Sequence, residues 1–206
     1  MAEDQREIEA KFFISSLSQI ERLLHKLNGR LLSARTFEVN VRFDTRHRDL
    51  SRAGRVLRLR KDYAARLTYK GDSQVLNGAL SRREIEFVVE DFDSARQFIE
   101  ALGYEVVFIY EKYRTTFEYH GVQIMLDELP YGNFIEIEGE LEMLHPVANE
   151  LKLEWSKAIP ASYHRLFERL RRSRGLAFRD LTFENLKGIR VSPKEMMIEF
   201  AEMTEF

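Results

Sequence analysis

The sequence predicts an α+β fold in which a closed antiparallel β-barrel carries helices packed on its outside. Segments over most of the chain alternate apolar and polar residues with a period of two, which is typical of β-strands. The polar faces of these strands are heavily charged, and the helical segments are few. If helices cover the apolar faces from outside, the charged faces turn inward, and a closed barrel with a polar lumen allows this arrangement.

The first predicted strand, "REIEAKF" at residues 6–12, shows the pattern most clearly. One face carries Ile8, Ala10 and Phe12. The other face is entirely charged and consists of Glu7, Glu9 and Lys11. Taken alone, such a strand is explained by a solvated sheet face, because charged side chains usually contact water. The repetition of the pattern in other strands favours a shared charged lumen.

Further strands follow along the chain, and most of them set an apolar face against a charged one. The pair His120-Gly121 predicts a turn, and "PYGN" at residues 130–133 predicts a loop before the last strand. These strands are predicted at residues 36–45, 55–60, 65–71, 81–90, 106–121, 122–129 and 134–140.

Helices are predicted where apolar residues recur at helical spacing. One is expected at residues 16–28, after a serine cap and before Gly29. A second is expected at residues 93–102, capped by Asp91 or Asp93. Further helical segments are predicted at residues 146–153, 162–174 and 192–203.

The domain organisation follows from the lack of repeats, low-complexity tracts and flexible linkers in the sequence. We expect a single domain over residues 1–206, with a barrel core at about 6–140 and a helical C-terminal part at about 145–206. The last predicted helix could dock on the barrel or on a second subunit, so a homodimer is left open.

The composition limits the classes of function. The chain has 206 residues, in which 32 Lys and Arg nearly balance 34 Asp and Glu, for a formal net charge of −2. Proteins that bind nucleic acid usually carry a basic excess, so we expect no nucleic-acid partner. The sequence contains no cysteine, which excludes disulfides, a thiolate nucleophile and zinc–thiolate sites. Neither a signal peptide nor an apolar run of roughly 18 residues is visible, so we expect a cytoplasmic protein without a membrane partner.

A cationic set of side chains comes from several predicted strands. Arginine suits bidentate contact with phosphate oxygens, and lysine acts as a point charge. So many cations on one cavity would suit an anion with several phosphates. The set consists of Lys11, Arg58, Arg60, Lys70, Lys112 and Arg114.

An acidic set lies on the same predicted faces. Carboxylates without His or Cys are hard oxygen ligands suited to Mg²⁺ or Mn²⁺. A divalent ion between carboxylates and phosphate oxygens stabilises the charge that develops in phosphoryl transfer. The two sets together predict a metal-dependent enzyme acting on a triphosphate. The acidic set consists of Glu7, Glu9, Glu136 and Glu138, with Asp127, Glu84 and Glu86 as further candidates.

In this order the segments resemble the CYTH family, the triphosphate tunnel metalloenzymes. The resemblance is carried by "EIEAKF", "RFDTRHRDLSRAGRVLRLR", "RLTYKG", "REIEF", "EKYR" and "LDELPYGNFIEIEG", and it covers residues 7–139. The segment "SYHRLF" also looks like the C-terminal helix of the family. The resemblance implies a tunnel of about eight antiparallel strands, in which basic residues grip a triphosphate and acidic residues bind Mg²⁺ or Mn²⁺.

The resemblance also implies a role for each candidate residue. The implied metal ligands are Glu7, Glu9, Glu136 and Glu138. The implied triphosphate-binding residues are Lys11, Arg42, Arg58, Arg60, Lys70, Lys112 and Arg114. The candidate catalytic residues are Lys11, Glu86 and Asp127.

Two departures from the family pattern bear on the chemistry. Many members carry an aromatic residue, often tyrosine, before "FDT", where this chain has Arg42. That leaves the general base unassigned and adds Arg42 to the candidate phosphate contacts. Members that resemble class IV adenylyl cyclases often have a His-Phe pair before the first strand, and "MAEDQ" has none. This favours hydrolysis over cyclisation.

Three functions follow as alternatives. The leading one is hydrolysis of a small-molecule triphosphate: inorganic triphosphate, thiamine triphosphate or a nucleoside triphosphate. The second is cyclisation of ATP to cyclic AMP. The third is a non-catalytic module that binds triphosphate or polyphosphate. Hydrolysis releases free phosphate, whereas cyclisation yields cyclic AMP and diphosphate. A binding module would bind the triphosphate without turnover.

Overall fold

The structure of the protein is a computed structural model that describes residues 6–191 and Glu195. The strands of this part of the chain are β1 (Arg6–Ile14), β2 (Arg30–Asp44), β3 (Val56–Lys61), β4 (Ala65–Leu76), β5 (Ala79–Val89), β6 (Glu105–Tyr119), β7 (Val122–Leu129) and β8 (Gly132–Glu138). Its helices are α1 (Leu17–Lys26), α2 (Asp49–Arg52), α3 (Phe92–Ala101), α4 (Leu141–Glu150) and α5 (Tyr163–Ser173), with a 3₁₀ turn at Trp155–Lys157.

The strands close into an antiparallel barrel in the order β1-β5-β4-β3-β2-β6-β7-β8. The ring closes at β1, which pairs with β5 on one side and with β8 on the other. In the first pairing Glu7 lies opposite Arg82, and in the second Lys11 lies opposite Glu136. The α+β class, the antiparallel barrel and the number of strands are therefore confirmed.

The apolar faces of the strands lie outside the barrel, where helices cover most of them and leave Ile85 and Phe87 of β5 exposed. Phe12 of β1 and Ile137 of β8 are buried with Leu24 of α1 and Leu144 of α4 in one cluster. On another sector of the wall, Val41 and Leu59 are buried with Ile99 of α3. Since successive side chains of a strand point to opposite faces, this burial turns the charged faces toward the lumen.

One end of the barrel is filled by apolar side chains and α5. Phe108 of β6 and Phe134 of β8 share the inward faces of their strands with charged residues, yet both are almost fully buried. They pack in one cluster with Leu166, Phe167 and Leu170 of α5. The helix α5 therefore closes this end of the lumen, which we call the closed end.

The strand boundaries differ from the predicted ones at two turns. β2 starts at Arg30, six positions before the predicted strand, because it pairs with β6 through register shifts that break the simple alternation. β4 extends to Leu76, and it turns through Asn77 and Gly78, both with positive φ, into β5. The predicted turn at His120-Gly121 is confirmed, and both residues have positive φ.

The helices also differ in part from the prediction. Asp91 is the residue that caps α3, since its carboxylate accepts a hydrogen bond from the Ser94 backbone N–H at 2.7 Å. α4 begins at Leu141, before the predicted 146–153, because Leu144, Val147 and Ala148 bury one face of the longer helix. Of the helix predicted at 192–203 only Glu195 is among the described residues. Every helix within the described ranges is too short or too polar to cross a lipid bilayer.

Candidate functional site

The lumen contains a cavity of about 500 Å³ that is lined by charged side chains from the strands and by the first residues of α5. Of the described side chains that line it, nine are basic and eight are acidic, so the charges nearly balance. The basic ones are Lys11, Arg42, Arg58, Arg60, Arg66, Lys70, Arg82, Lys112 and Arg114. The acidic ones are Glu7, Glu9, Glu38, Asp62, Glu84, Glu86, Glu136 and Glu138.

The structure thus brings together all the sequence-predicted phosphate contacts and all the predicted metal ligands in one cavity. Asp127 is the exception among the candidate catalytic residues, because its side chain is fully buried and does not line the cavity. Tyr63 of the β3–β4 turn also lines the cavity and has 75% of its surface exposed, so the cavity reaches solvent beside this turn.

Asp127 is the centre of a buried hydrogen-bonded network next to the cavity. Its carboxylate accepts hydrogen bonds from Arg114 Nε at 2.7 Å and Nη2 at 2.6 Å, and from Lys112 Nζ at 3.1 Å. The hydroxyl of Tyr163 donates to the same carboxylate at 2.7 Å. Because Asp127 is fully buried, these contacts fix the two cations from beneath while their other sides face the lumen.

Lys11 lies beside this network and is almost fully buried. Its Nζ is 2.5 Å from Glu136 Oε1 and 3.5 Å from a carboxylate oxygen of Glu9. Burial by itself would lower the pKa of Lys11, but Glu136 and Glu9 raise it above its ordinary value. Arg114 donates a second hydrogen bond to Glu136. Lys11 is therefore held protonated, as a cation that faces the cavity.

A second group of cations is organised by Glu86. Its carboxylate accepts from Arg60 Nη2 at 3.0 Å, from Arg58 Nη2 at 3.3 Å and from the Thr68 hydroxyl at 2.7 Å. Burial would raise the pKa of Glu86, but Arg60, Thr68 and Arg58 together lower it. Glu86 is thus ionised and orients two arginines of β3 that the sequence predicts as phosphate contacts.

The carboxylates near the start of β1 form a cluster in which nearby cations do not pair with every acidic group. Lys70 Nζ contacts Glu7 at 2.7 Å and Glu84 at 2.8 Å, and Arg82 Nε contacts Glu7 at 3.0 Å. Glu138 has no ion pair with any described residue. Burial, followed by the charge of Glu7, raises the pKa of Glu138 to about 7. Burial also raises the pKa of Glu84 to about 7, together with a hydrogen bond to Glu7.

These carboxylates have the chemistry of a site for a hard divalent cation. Only oxygen donors are present, and Glu138 is buried beside the charge of Glu7 without an ion pair to any described residue. Glu9 lies directly opposite Glu138 across the β1–β8 pairing. Within residues 6–191 and Glu195, however, no three acidic or imidazole side chains are already arranged around one metal position. All four predicted ligands offer the oxygen donors that such a cation prefers, although Glu7 is paired with Lys70 and Arg82. Glu136 is likewise paired with Lys11 and Arg114.

Arg42 is the one basic residue of the cavity lining whose side chain has no hydrogen bond or ion pair with another described residue. Burial lowers its pKa, and the charges of Arg82 and Arg58 lower it further. Tyr110 and the charge of Asp44, which forms no ion pair with Arg42, act in the opposite direction without cancelling the decrease. A half-buried cation without a counter-ion is costly unless an anion completes its environment. Arg42 is therefore a candidate contact for an anionic ligand, as the sequence predicts.

The structure also shows cavity residues that the sequence analysis did not select. Glu38, on the inward face of β2, is 3.5 Å from Lys112, and one of its oxygens is buried without a hydrogen bond. Asn40, between Glu38 and Arg42 on the same strand, does not line the cavity itself, and its amide is buried with both polar atoms unpaired. Strand alternation places both residues on the face of Arg42 and could have identified them. No such signal exists for Tyr163, which reaches the lumen from α5.

Comparison with known proteins adds a family and its relatives. The family model described as "CYTH domain" matches residues 5–157. A protein of Methanocaldococcus jannaschii that is provisionally named an adenylate cyclase is 28% identical over 134 residues, which are 64% of this chain and 75% of that protein.

Solved structures share the fold. The PH1819 protein of Pyrococcus horikoshii has a TM-score of 0.68 at 27% identity, and the match covers 80% of this chain and 99% of that one. A protein of Vibrio parahaemolyticus, provisionally named an adenylate cyclase, has a TM-score of 0.73 at 22% identity, over 81% and 99% of the two chains. The HpAC1 protein of Hippeastrum has a TM-score of 0.60 at 20% identity, over 79% and 95%. HpAC1 is provisionally named an adenylyl cyclase and is described as having a dominant triphosphatase activity.

Proposed function

The chain belongs to the CYTH domain family, and on this premise we propose that it binds a small-molecule triphosphate in the lumen and hydrolyses it with the help of a divalent metal ion. The observation that carries the proposal is the convergence of basic side chains from separate strands on one 500 Å³ cavity. Strand alternation in the sequence predicts six of these cations, from Lys11 to Arg114, on the inward faces of their strands.

The arrangement of the cations supports a polyphosphate rather than a single phosphate. Lys112 and Arg114 are held together by Asp127, and Arg58 and Arg60 are held together by Glu86. Two separately organised cation pairs suit an anion with several phosphates. Arg42, which has no counter-ion among the described residues, is available for a further phosphate contact.

The charge balance of the cavity supports a metal requirement, and metal dependence is general in the family. Nine basic side chains already face eight acidic ones, so a triphosphate would bring in negative charge that the protein alone does not offset. Mg²⁺ or Mn²⁺ would neutralise that charge and supply an activated water. Glu7, Glu9 and Glu138 are the residues we assign to hold it, and Glu136 is the fourth predicted ligand.

The candidate catalytic residues take distinct roles in this proposal. Lys11 is protonated and faces the lumen, so it would contact a phosphate oxygen as a cation. Glu86 and Asp127 would act through the cations that they hold: Glu86 through its two arginines, and Asp127 through Lys112 and Arg114. These cations would stabilise the negative charge of the departing diphosphate.

Cyclisation of ATP to cyclic AMP is the alternative activity. It is favoured by the 28% identical M. jannaschii relative and its provisional name. The two reactions use the same triphosphate-binding cavity and differ in the attacking group, which is water in hydrolysis and the ribose 3′-hydroxyl in cyclisation. A binding module without turnover is the third outcome.

One panel of assays tests the proposal. The protein is incubated with inorganic triphosphate, thiamine triphosphate or ATP, with Mg²⁺, with Mn²⁺ or with excess chelator. Phosphate, diphosphate and cyclic AMP are then measured. We expect metal-dependent release of phosphate from at least one substrate and none with chelator. Cyclic AMP with diphosphate as the main product would establish the cyclase alternative, and binding without any product would establish the binding module.

A further inference from the structure

Tyr163 enters the lumen from outside the barrel and contacts several of its cations. It is the first residue of α5, after the cap Ser162. It is 7% exposed and lines the cavity. Its ring packs edge-on against Phe134 at a centroid distance of 5.1 Å, and its backbone carbonyl accepts a hydrogen bond from the Tyr131 hydroxyl at 3.2 Å. The residue is therefore held on two sides by the apolar closed end.

The hydroxyl of Tyr163 is fixed as a hydrogen-bond donor. It donates to Asp127 at 2.7 Å. Burial and the nearby charges of Asp127 and Glu136 raise the pKa of Tyr163 well above its ordinary value, so the phenol keeps its proton. The same Asp127 oxygen, Oδ2, accepts from Lys112 and from Arg114 Nη2. Tyr163 thus completes the coordination of the carboxylate that orients these two cations.

The ring of Tyr163 contacts cations directly. Lys11 Nζ lies 4.5 Å from the ring centroid, and Lys112 Nζ lies 5.5 Å from it. Both distances are within the roughly 6 Å over which an aromatic face attracts a cation. Both ammonium groups are nearly fully buried, and a cation–π contact is stronger away from water.

From these contacts we propose that Tyr163 is a positioning residue of the triphosphate site. Its ring holds the ammonium groups of Lys11 and Lys112, and its hydroxyl acts on Arg114 and Lys112 through Asp127. The expected effect on kcat/KM rests on the proposed function. The geometry also predicts an effect on triphosphate binding. One residue of α5 thereby couples the docking of that helix to the placement of three cations on β1 and β6.

The two parts of the side chain are separated by two variants. Tyr163→Phe keeps the ring and removes the hydroxyl, whereas Tyr163→Leu removes both. Tyr119→Phe is the matched control, because Tyr119 also donates its hydroxyl to a carboxylate, that of Glu150 at 2.5 Å, and it does not line the cavity. Thermal unfolding of each variant reports the structural cost of the lost group.

Steady-state hydrolysis and calorimetric binding of inorganic triphosphate provide the readouts. Removing a hydrogen bond to a charged group costs about tenfold to a hundredfold, and we expect Tyr163→Phe to lose kcat/KM by this factor. In Tyr163→Leu, loss of the ring contact should raise the dissociation constant of inorganic triphosphate by about tenfold as well. Tyr119→Phe should stay within about twofold of the wild type in both measurements.

The outcomes separate this proposal from the proposed function. An active wild type with unchanged kcat/KM in Tyr163→Phe, or with an equal loss in Tyr119→Phe, would overturn the positioning role alone. If the wild type binds inorganic triphosphate but hydrolyses none of the three substrates of the assay panel, the proposed reaction fails, and weaker binding by Tyr163→Leu but not by Tyr119→Phe still supports the positioning role. A wild type that neither binds nor hydrolyses any of the three triphosphates overturns both.

Discussion

Glu9 and Glu138 lie directly opposite each other on the neighbouring strands β1 and β8, and both side chains line the cavity. Like charges in directly opposed positions destabilise an antiparallel pair. Glu9 has Lys11 at 3.5 Å and Arg82 at 3.6 Å as partial counter-charges, whereas Glu138 has none among the described residues. The arrangement persists at a cost in stability that a bound divalent cation would remove.

We predict that Glu138→Gln abolishes metal-dependent turnover and leaves the fold intact. The amide keeps the size of the side chain but removes the negative charge that a divalent cation would require. Turnover is measured with inorganic triphosphate over a range of Mg²⁺ and Mn²⁺ concentrations, and the fold is checked by circular dichroism. Glu90→Gln, at an exposed carboxylate outside the cavity, is the control. Wild-type turnover in Glu138→Gln would contradict the assignment of Glu138 as a metal ligand.

Arg58→Ala should mainly weaken substrate binding. Its guanidinium faces the lumen and contacts Glu86, Thr68 and the Tyr110 hydroxyl. Loss of one charged contact predicts a rise in KM of about tenfold to a hundredfold, with a smaller change in kcat. Steady-state kinetics provide the measurement, and Arg22→Ala on the exposed face of α1 serves as the control. A fall in kcat at constant KM would contradict a binding role.

Arg42→Gln should raise the stability of the ligand-free protein and weaken its binding of triphosphate. The wild-type guanidinium is half-buried without a counter-ion among the described residues, so its removal should raise the melting temperature of the ligand-free protein. The variant should gain less stability than the wild type when inorganic triphosphate and Mg²⁺ are added, because a ligand stabilises according to its affinity. Differential scanning calorimetry with and without ligand tests both parts. The idea is contradicted if the variant is less stable alone and equally stabilised by ligand.

His164 should make the protein lose stability in mild acid. Burial lowers the pKa of this side chain from 6.5 to about 4, and the charges of Arg42 and Arg48 add to the effect. The unfolded chain therefore binds a proton more readily than the folded protein between these values. The contribution of neutral His164 to the free energy of unfolding is fully present above pH 6.5 and is lost as the pH falls toward 4. The loss is on the order of 3 kcal/mol.

The test of this prediction is the pH dependence of the free energy of unfolding. His164→Phe keeps an aromatic ring beside Phe108, which lies 4.4 Å from the imidazole centroid, and it removes the titrating group. Urea unfolding at several pH values between 4 and 7 should show a smaller decrease in the variant than in the wild type. Parallel curves for the two proteins would show that His164 does not titrate in this way.

The sequence by itself determined the strands, the charged lumen and the identity of most of its cations. Alternation is a local property, so a strand such as β1 shows which of its residues share a face without any knowledge of its neighbours. Once the apolar faces were assigned to the outside, Lys11, Arg58 and Glu138 had to point inward. The same argument places Glu38 on an inward face. The strand pattern alone, however, does not distinguish a carboxylate in the lumen from a solvated one.

Only the tertiary structure decided which charges pair and which remain uncompensated. Asp127 and Glu138 occupy inward positions of adjacent strands, yet the first is buried beneath two cations and the second has no ion pair among the described residues. That difference depends on the register around the closed ring and on the docking of α5, which brings Tyr163 to Asp127 across 36 positions of the chain. Contacts between residues so far apart leave no periodic signal, because a period records the neighbours within one strand and not those between strands.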